Sequence, residues 1–534
     1  MLRLTELKLP LDHPEADLRA AILKRLAIGS DDLIGFTVHK RSYDARKRSA
    51  IMLIYTVDVE LRDSLEASVA ERGIAHVASS PDMRYRFVAK APAALKSRPV
   101  VIGFGPCGLF AALILAQMGF RPIVLERGKA VRERTRDTFG LWRQAVLDPE
   151  SNVQFGEGGA GTFSDGKLWS QIKDPQHYGR KVLEEFVLAG APEEILYVSK
   201  PHIGTFRLVS MIEKMRATIE SLGGEIRFGA RVEDVRIVDG RMRGLVLKDG
   251  EELACDHVVL AIGHSARDTF KMLHERGVYI EAKPFSIGFR IEHPQSLIDN
   301  ARFGAFAGHA LLGAADYRLV HHAKNGRGVY SFCMCPGGTV VAATSEVGQV
   351  VTNGMSQYSR NERNANAGLV VGISPADYPG GPLAGIEFQR HWERQAFALG
   401  GGDYWAPGQL VGDFVRGRPS KDFGDVQPSY TPGVRLGDLS TALPDYAIAA
   451  IREAIPALDR QLKGFAMHDA VLTGVETRTS SPIRITRGAD YQSLNTRGLY
   501  PAGEGASYAG GIYSAAIDGI EVAQALALAM TEDD

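Results

Sequence analysis

Residues 100–128 read VVIGFGPCGLFAALILAQMGFRPIVLERG, and this stretch narrows the fold of the chain more than any other. A short apolar run enters glycines at 103, 105 and 108, continues as an apolar stretch from Leu109 to Met118, and returns as PIVLE. The pattern predicts strand, tight turn, helix, strand. Gly103 permits the turn, Gly105 lets a pyrophosphate approach the backbone, and Gly108 lets the helix lie close to the strand. The helix then opens at Pro106 and Cys107, and the N–H groups of its first turn face the phosphates. Glu126 closes the second strand where a carboxylate meets the hydroxyls of an adenosine ribose. Arg127 and Arg134 follow it and extend the candidate dinucleotide site.

A second segment far downstream answers the first. Within NTRGLYPAGEGASYAGGIYSAAIDGIEVAQALALAM, residues 499–502 read as a short strand, Gly503, Glu504 and Gly505 as a turn, and residues 512–530 as a helix that opens at Gly511 and Ile512. A strand, a carboxylate, glycines and a helix N-terminus suit the ribityl hydroxyls and second phosphate of FAD. Between the two segments, Asp239-Gly240 and Asp249-Gly250 mark hairpins in a run of short strands, and residues 257–262 form a buried strand ending at Gly263. Val232, Ala261 and Gly263 are the expected cofactor contacts of this middle part. A nicotinamide dehydrogenase usually needs one such turn, whereas extended FAD needs both. FAD is therefore the expected cofactor, with NAD(P)H as a candidate transient reductant.

The chain has 534 residues, 45% hydrophobic and 23% charged, with a net charge of −1. That length points to about two to four domains. The charge gives no global attraction to nucleic acid or to an anionic membrane. Four cysteines cannot build a secreted disulfide framework, which favours a reducing compartment. The N-terminus alternates apolar and charged residues, unlike a signal peptide, and no uninterrupted apolar run approaches about 18 residues. A cytoplasmic protein without membrane attachment is expected.

Residues 1–95 read as a small ferredoxin-like α+β domain: strand 2–9, helix 15–26, strands 35–42 and 50–61, helix 64–72 and a last strand at 85–89, in the order βαββαβ. Residues 96–282 carry the first part of an FAD-binding domain, residues 283–473 a β-rich α+β substrate or cap lobe, and residues 474–534 the segment that completes the FAD domain. The fold class expected is α/β, with a Rossmann-type FAD domain at its centre.

Several residues are candidates for chemistry beyond cofactor binding. Cys333 and Cys335 in SFCMCPGG could be a redox dithiol, a soft metal site needing further ligands, or two small residues on one face of a strand. Cys107 stands where a helix dipole lowers a thiol pKa, or is a small residue packed beside the phosphates. His264, Arg290, Glu292 and His293 are candidate proton donors or recognition groups. Arg478, Arg484 and Arg487 could hold an anionic substrate, stabilise reduced flavin, or form structural ion pairs. Gly156, Gly158 and Gly161 match G-x-G-x-x-G literally, but no βαβ pattern follows and Glu157 would oppose a pyrophosphate; a loop closing over a flat ring system fits better. The run HKRSYDARKR concentrates Lys40, Arg41, Arg46, Lys47 and Arg48. It reads as a solvated hairpin, as a docking surface for an acidic protein, or as an RNA contact. The partner expected at the main site is a small-molecule substrate, with no metal.

The strings SYDARKR, GFGPCGLFAALILAQMG, NVQFGEGGAGTFSDGKL, AIGHSARDTF, GFRIEHPQ, SFCMCPGG, NGMSQYSRNERNAN, ETRTSSPIRI and GEGASYAGGI resemble a family of uncharacterised bacterial FAD-dependent dehydrogenases. That family carries an N-terminal ferredoxin-like domain and a C-terminal FAD-dependent protein domain. The resemblance implies FAD binding and an oxidoreductase role and supplies no substrate. The nucleotide domain is similar to that of glutathione-reductase-like flavoproteins. It lacks their C-x4-C pair after the first βαβ unit, so disulfide reductase chemistry by that route is not expected.

Overall fold

The parallel sheet at the centre of the molecule is built from strands far apart in sequence. The computed structural model describes residues 1–62 and 65–532. Leu499–Pro501, Val258–Leu260, Val100–Ile102, Ile123–Glu126 and Glu225–Phe228 lie side by side in that order, every neighbour parallel. Successive residues of a strand point to opposite faces, and here both faces are covered. Val101, Val124, Val259 and Tyr500 pack under the helices. Val100, Ile102, Ile123, Leu125, Val258 and Leu260 pack on the other side with the antiparallel meander Val232–Val238, Arg241–Leu247 and Glu252–Ala254. Burial on both faces explains why Val100–Ile102 and Val258–Leu260 are continuously apolar, whereas the half-buried edge strand Glu225–Phe228 alternates charged and apolar residues.

The helix Pro106–Gln117 is buried from Cys107 through Ala116, and so shows no amphipathic stripe. It lies between the sheet and the C-terminal helix Ile512–Glu532. That last helix is long and apolar enough to cross a membrane by length and composition, but 72% of its apolar window is buried inside the nucleotide domain.

A lobe is inserted between Val258–Leu260 and Leu499–Pro501. Its seven-stranded sheet runs Val320–His322, Gly328–Cys335, Asn364–Ile373, Phe285–Pro294, Val471–Glu476, Ala406–Leu410, Val434–Leu436. Phe285–Pro294 pairs with Asn364–Ile373 along its whole length. Val471–Glu476 crosses the expected boundary at 473/474, because its residues pair on both sides within the lobe. The chain enters by Glu281–Ala282 and leaves by Ile483–Arg484, which pair with each other.

The N-terminal unit is an antiparallel sheet in the order Leu33–Asp44, Met52–Leu61, Leu2–Pro10, Val77–Ser79. Leu18, Ile22 and Leu26 of helix Glu15–Leu26 share a core with Leu4, Val57 and Val59 of the sheet. The second helix spans Glu66–Glu71, and its expected start at Ser64 lies outside the described residues. The strand expected at 85–89 does not form. Tyr85 instead stands edge-on to Tyr178 at 6.0 Å and accepts a hydrogen bond from Gln524, so this alternating segment packs on the nucleotide domain without pairing. Val77–Ser79 is the edge strand in its place.

Candidate functional site

A cavity of about 670 Å³ borders the carboxyl ends of the central strands and extends to the lobe. Gly103 turns the chain at φ +94°, and a Cβ on Gly108 would overlap the Gly103 carbonyl oxygen. Strand and helix can therefore meet this closely only without side chains at these positions. Gly105 caps the helix and Pro106 opens it, so the first-turn N–H groups, which have no acceptor within the helix, form a positive end at the cavity wall. Glu126 is 4% exposed. Its Oε2 accepts from the N–H of Phe104 at 2.9 Å, and its Oε1 accepts from Gly128 at 2.8 Å and Gly156 at 2.9 Å. One carboxylate thus ties together the first turn, its own strand end and a second glycine loop.

That second loop folds against the first turn. A Cβ on Gly105 would come 3.5 Å from Gly159 Cα. Gly156, Gly159 and Gly161 line the cavity, while Glu157 turns inward and accepts from the Val131 N–H at 2.7 Å. Burial holds the Glu157 carboxyl above its usual range. Arg134, expected at the cofactor, lies beneath the loop. It is fully buried, donates to the carbonyls of Asn152, Val153 and Glu157, and is absent from the cavity wall. Its guanidinium satisfies the inward Glu157 carbonyl of the loop and two carbonyls just before it.

The second turn completes the wall. Gly503 has φ +70° and donates its N–H to Asp518 at 2.7 Å. Glu504, Gly511 and Ile512 line the cavity beside it, with Cys107, Arg127, Val232, Ala261 and Gly263 along the rest. Arg127 is clamped by Glu150 and Asp268, both at 2.9 Å, and lies over the Phe155 ring. A Cβ on Gly263, Gly510 or Gly511 would meet no protein atom within 4 Å. These three border open cavity, whose volume is in the range of about 300–1,000 Å³ that cofactors occupy.

A protein of Clostridium beijerinckii described as uncharacterized is 48% identical over 528 residues, covering 98% of each chain. Residues 284–479 match the family described as FAD-dependent protein, C-terminal domain-like. The chain belongs to this uncharacterised family of FAD-dependent proteins. FAD is its cofactor, and residues 143–278 match the flavin containing amine oxidoreductase family, so it is an FAD-dependent oxidoreductase. Residues 1–60 match a domain of unknown function. Among solved structures, a 3-ketosteroid dehydrogenase of Rhodococcus jostii is 13% identical, covers 83% of this chain and 99% of its own, and has a TM-score of 0.33. A geranylgeranyl bacteriochlorophyll reductase-like protein of Thermoplasma acidophilum is 12% identical, covers 82% and 79%, and has a TM-score of 0.36.

At the end of the cavity of this FAD-dependent protein away from Glu126, the wall comes from the lobe and from the loop around Lys167. Lys167, Trp169, Cys333, Asn353 and Glu476 meet there with Glu504. Arg290 is fully buried behind them. It holds Glu476 through two hydrogen bonds of 2.7 and 2.8 Å, and donates to Asn353 and to the Cys333 carbonyl, both at 2.9 Å. Lys167 pairs with the buried Asp165 at 2.9 Å and donates to the Met334 carbonyl. Burial pushes the Glu504 carboxyl up to about 7, against the pull of Lys283.

Cys333 and Cys335 do not share a face as alternate strand residues would. A register shift falls between Phe332 and Cys335, and Cys333 has φ +41°. Cys333 lines the cavity; Cys335 is fully buried behind it, its Sγ 3.4 Å from the Cys333 carbonyl oxygen. A hydrogen bond from the Cys335 thiol, with Lys167 and Arg290 nearby, holds Cys333 well below the usual thiol range against the effect of burial. Among the described residues no group of three metal-ligating side chains surrounds the pair.

The other candidates separate. His264 lines the cavity, but burial, Arg478 and Arg267 lower its pKa to about 3, so it is neutral at physiological pH and has no imidazolium proton to give. Arg478 also reaches the wall, and is bound to Glu393 at 3.0 Å and to Ser345 at 2.7 Å. Arg487 is a structural partner of Asp518 at 2.5 Å, and Arg484 is exposed. Glu292 accepts from Ser429 and Asn364, and His293 bonds to the Phe465 carbonyl at 2.8 Å; both lie away from the cavity. The Cys107 thiol is raised well above its ordinary value by burial and by Asp518, opposite to the helix-dipole expectation. Sequence reasoning missed Lys167, Trp169, Asn353 and Glu476. Each had a signal: Lys167 and Trp169 follow the glycine loop within GKLW, and Asn353 and Glu476 open the strings NGMSQYSRNERNAN and ETRTSSPIRI.

Proposed function

We propose that FAD lies extended along the cavity and exchanges hydride or electrons with a small molecule held between the nucleotide domain and the lobe. The observation that carries this reading is the continuity of one cavity from Glu126 past both glycine turns to Cys333 and Glu476. In this reading the Cys107 and Gly108 N–H groups hold the pyrophosphate. The free lone pairs of Glu126 meet the ribose, Val232 and Arg127 flank the adenine, and Gly503, Glu504, Gly511 and Ile512 hold the ribityl end. Bound non-covalently, FAD supplies two-electron redox chemistry, and the chain supplies position and charge. Lys167 adds a fixed positive charge at that end, and Glu504, titrating at about 7, can hold or release a proton near neutral pH.

The enzyme is read as a dehydrogenase, with NAD(P)H as a candidate transient reductant, in a cytoplasmic setting that suits four free cysteines. The N-terminal unit is read as ferredoxin-like, a reading its strand order supports. A protein or RNA partner there would use Arg46, Lys47 and Arg48, which are exposed, whereas Arg41 is engaged with Tyr197. The deciding experiment is the visible spectrum of the purified protein, followed by anaerobic bleaching with NADH, NADPH and a dithiol in turn. A yellow protein bleached by one of them is expected. A colourless preparation that takes up no FAD would sink the reading.

A further inference from the structure

We propose that a second cavity, which meets the first at Lys167 and Trp169, is the binding groove for a small anionic substrate carrying a carboxylate or phosphate group. This inference rests on the flavin reading above and names the substrate class for that site. The second cavity has a volume of about 800 Å³, and Lys167 and Trp169 line both cavities. The groove therefore joins the FAD cavity at these two side chains, at the end that Cys333 and Glu476 wall. All three parts of the molecule contribute to the groove: Arg41–Arg46 from the N-terminal sheet, the segment 194–202, and residues 310–316 and 358–360 of the lobe.

The lining has six cations, Arg41, Arg46, Lys167, Lys200, Arg302 and Arg360, against three carboxylates, Asp44, Asp316 and Glu194, the last accepting from the Tyr358 hydroxyl. Arg46 pairs with Asp44 at 2.5 Å and Lys200 with Asp316 at 2.8 Å. Lys167 and Arg360 share Asp165. Two groove arginines remain over. Arg302 has a buried Nε with no hydrogen-bond partner, and no ion pair among the described residues includes it. Arg41 is fixed by its backbone: its N–H donates to the Tyr197 carbonyl at 2.6 Å, and its carbonyl accepts from Ser199 at 2.9 Å. Its guanidinium stands 5.3 Å from the Tyr197 ring centre and likewise has no carboxylate partner among the described residues. A buried donor without an acceptor costs free energy unless a ligand supplies one. A guanidinium offers a planar fork matched to carboxylate or phosphate, and a concave low-dielectric groove concentrates anions.

Residues 41–46 of the basic hairpin are then part of the substrate site, while Lys47 and Arg48 lie outside it. The test uses the full-length FAD-bound protein, titrated calorimetrically with succinate, with inorganic phosphate and with the neutral propionamide, while the flavin spectrum is followed. Saturable binding of succinate or phosphate is expected, weakening as KCl rises, with none for propionamide; whichever anion binds identifies the source of the charge. Arg302→Gln and Arg41→Gln should each weaken binding at least tenfold with FAD content unchanged, and Lys421→Gln, an exposed cation outside the groove, should not. Should Arg302→Gln fail to fold by circular dichroism, Arg41→Gln decides alone. A yellow protein that binds neither anion, or binds them equally well after the arginine changes, overturns this proposal and leaves the flavin reading standing. A protein without flavin overturns both.

Discussion

At Glu504 a carboxyl that ionises near 4.5 in water is pushed by burial to about 7. Between those values the folded chain keeps a proton that the unfolded chain has released, so the stability of the flavin-free protein falls as pH rises from about 4.5 to about 7. Glu504→Gln should flatten that slope, removing about 2 kcal/mol of pH dependence. Urea melts at pH 5 and pH 7.5 measure it, and parallel shifts in both proteins would refute the assignment. Cys333 yields a second prediction. Oxidation of Cys333 and Cys335 to a disulfide releases two electrons and two protons, the number that reduction of FAD consumes. Cys333→Ser should slow bleaching by a dithiol at least tenfold in stopped flow; an unchanged rate would make Cys333 a wall residue only. The residues legible in the sequence are those whose backbone does the work. Gly103, Gly108 and Gly503 stand where a positive φ or a close approach admits little else, and that requirement is local. Lys167, Asn353 and Glu476 meet only through tertiary folding; the strings that contain them carry a family resemblance and do not mark the meeting.

At the scale of elements, Arg134 ties the glycine loop 156–161 to the segment before it, bonding the Glu157 carbonyl within the loop and those of Asn152 and Val153 ahead of it. Arg134→Met removes the donor to three buried carbonyls, a loss of about 3 kcal/mol in local stability. The loop should then leave the first turn, and FAD affinity should fall about a hundredfold, the same energy read as binding. Fluorescence of released FAD measures this, and unchanged affinity would show that the loop stands without its arginine. The literal G-x-G-x-x-G of this loop has no strand before it and no α-helix directly after it, the context that the turn at Gly103 has. Residues 85–89 misled: their alternation is real, but it records packing of Tyr85 on Tyr178 and Gln524 and not strand pairing. Period-two patterning shows which side chains are buried and does not name the surface that buries them.

For the whole molecule, the N-terminal sheet and the lobe share one continuous core, in which Tyr43 stands edge-on to Phe303 at 5.7 Å. Thermal unfolding followed by far-ultraviolet circular dichroism and by tryptophan fluorescence should give coincident transitions, although the sequence divides into several units. Two separated transitions would mean that the N-terminal unit stands alone. Motif order and linker composition suggest that division, whereas the shared core and the pairing of Val471–Glu476 within the lobe depend on contacts that only the fold displays.

The central sheet, begun at Val100, is finished only by Leu499–Pro501 and covered by Ile512–Glu532. While the ribosome is still at work, the lobe has all its strands once Glu476 has emerged, but the cavity still lacks the wall that Gly503, Glu504, Gly511 and Ile512 supply. A premature stop before Leu499 would thus yield a long product with most of its mass and none of its colour.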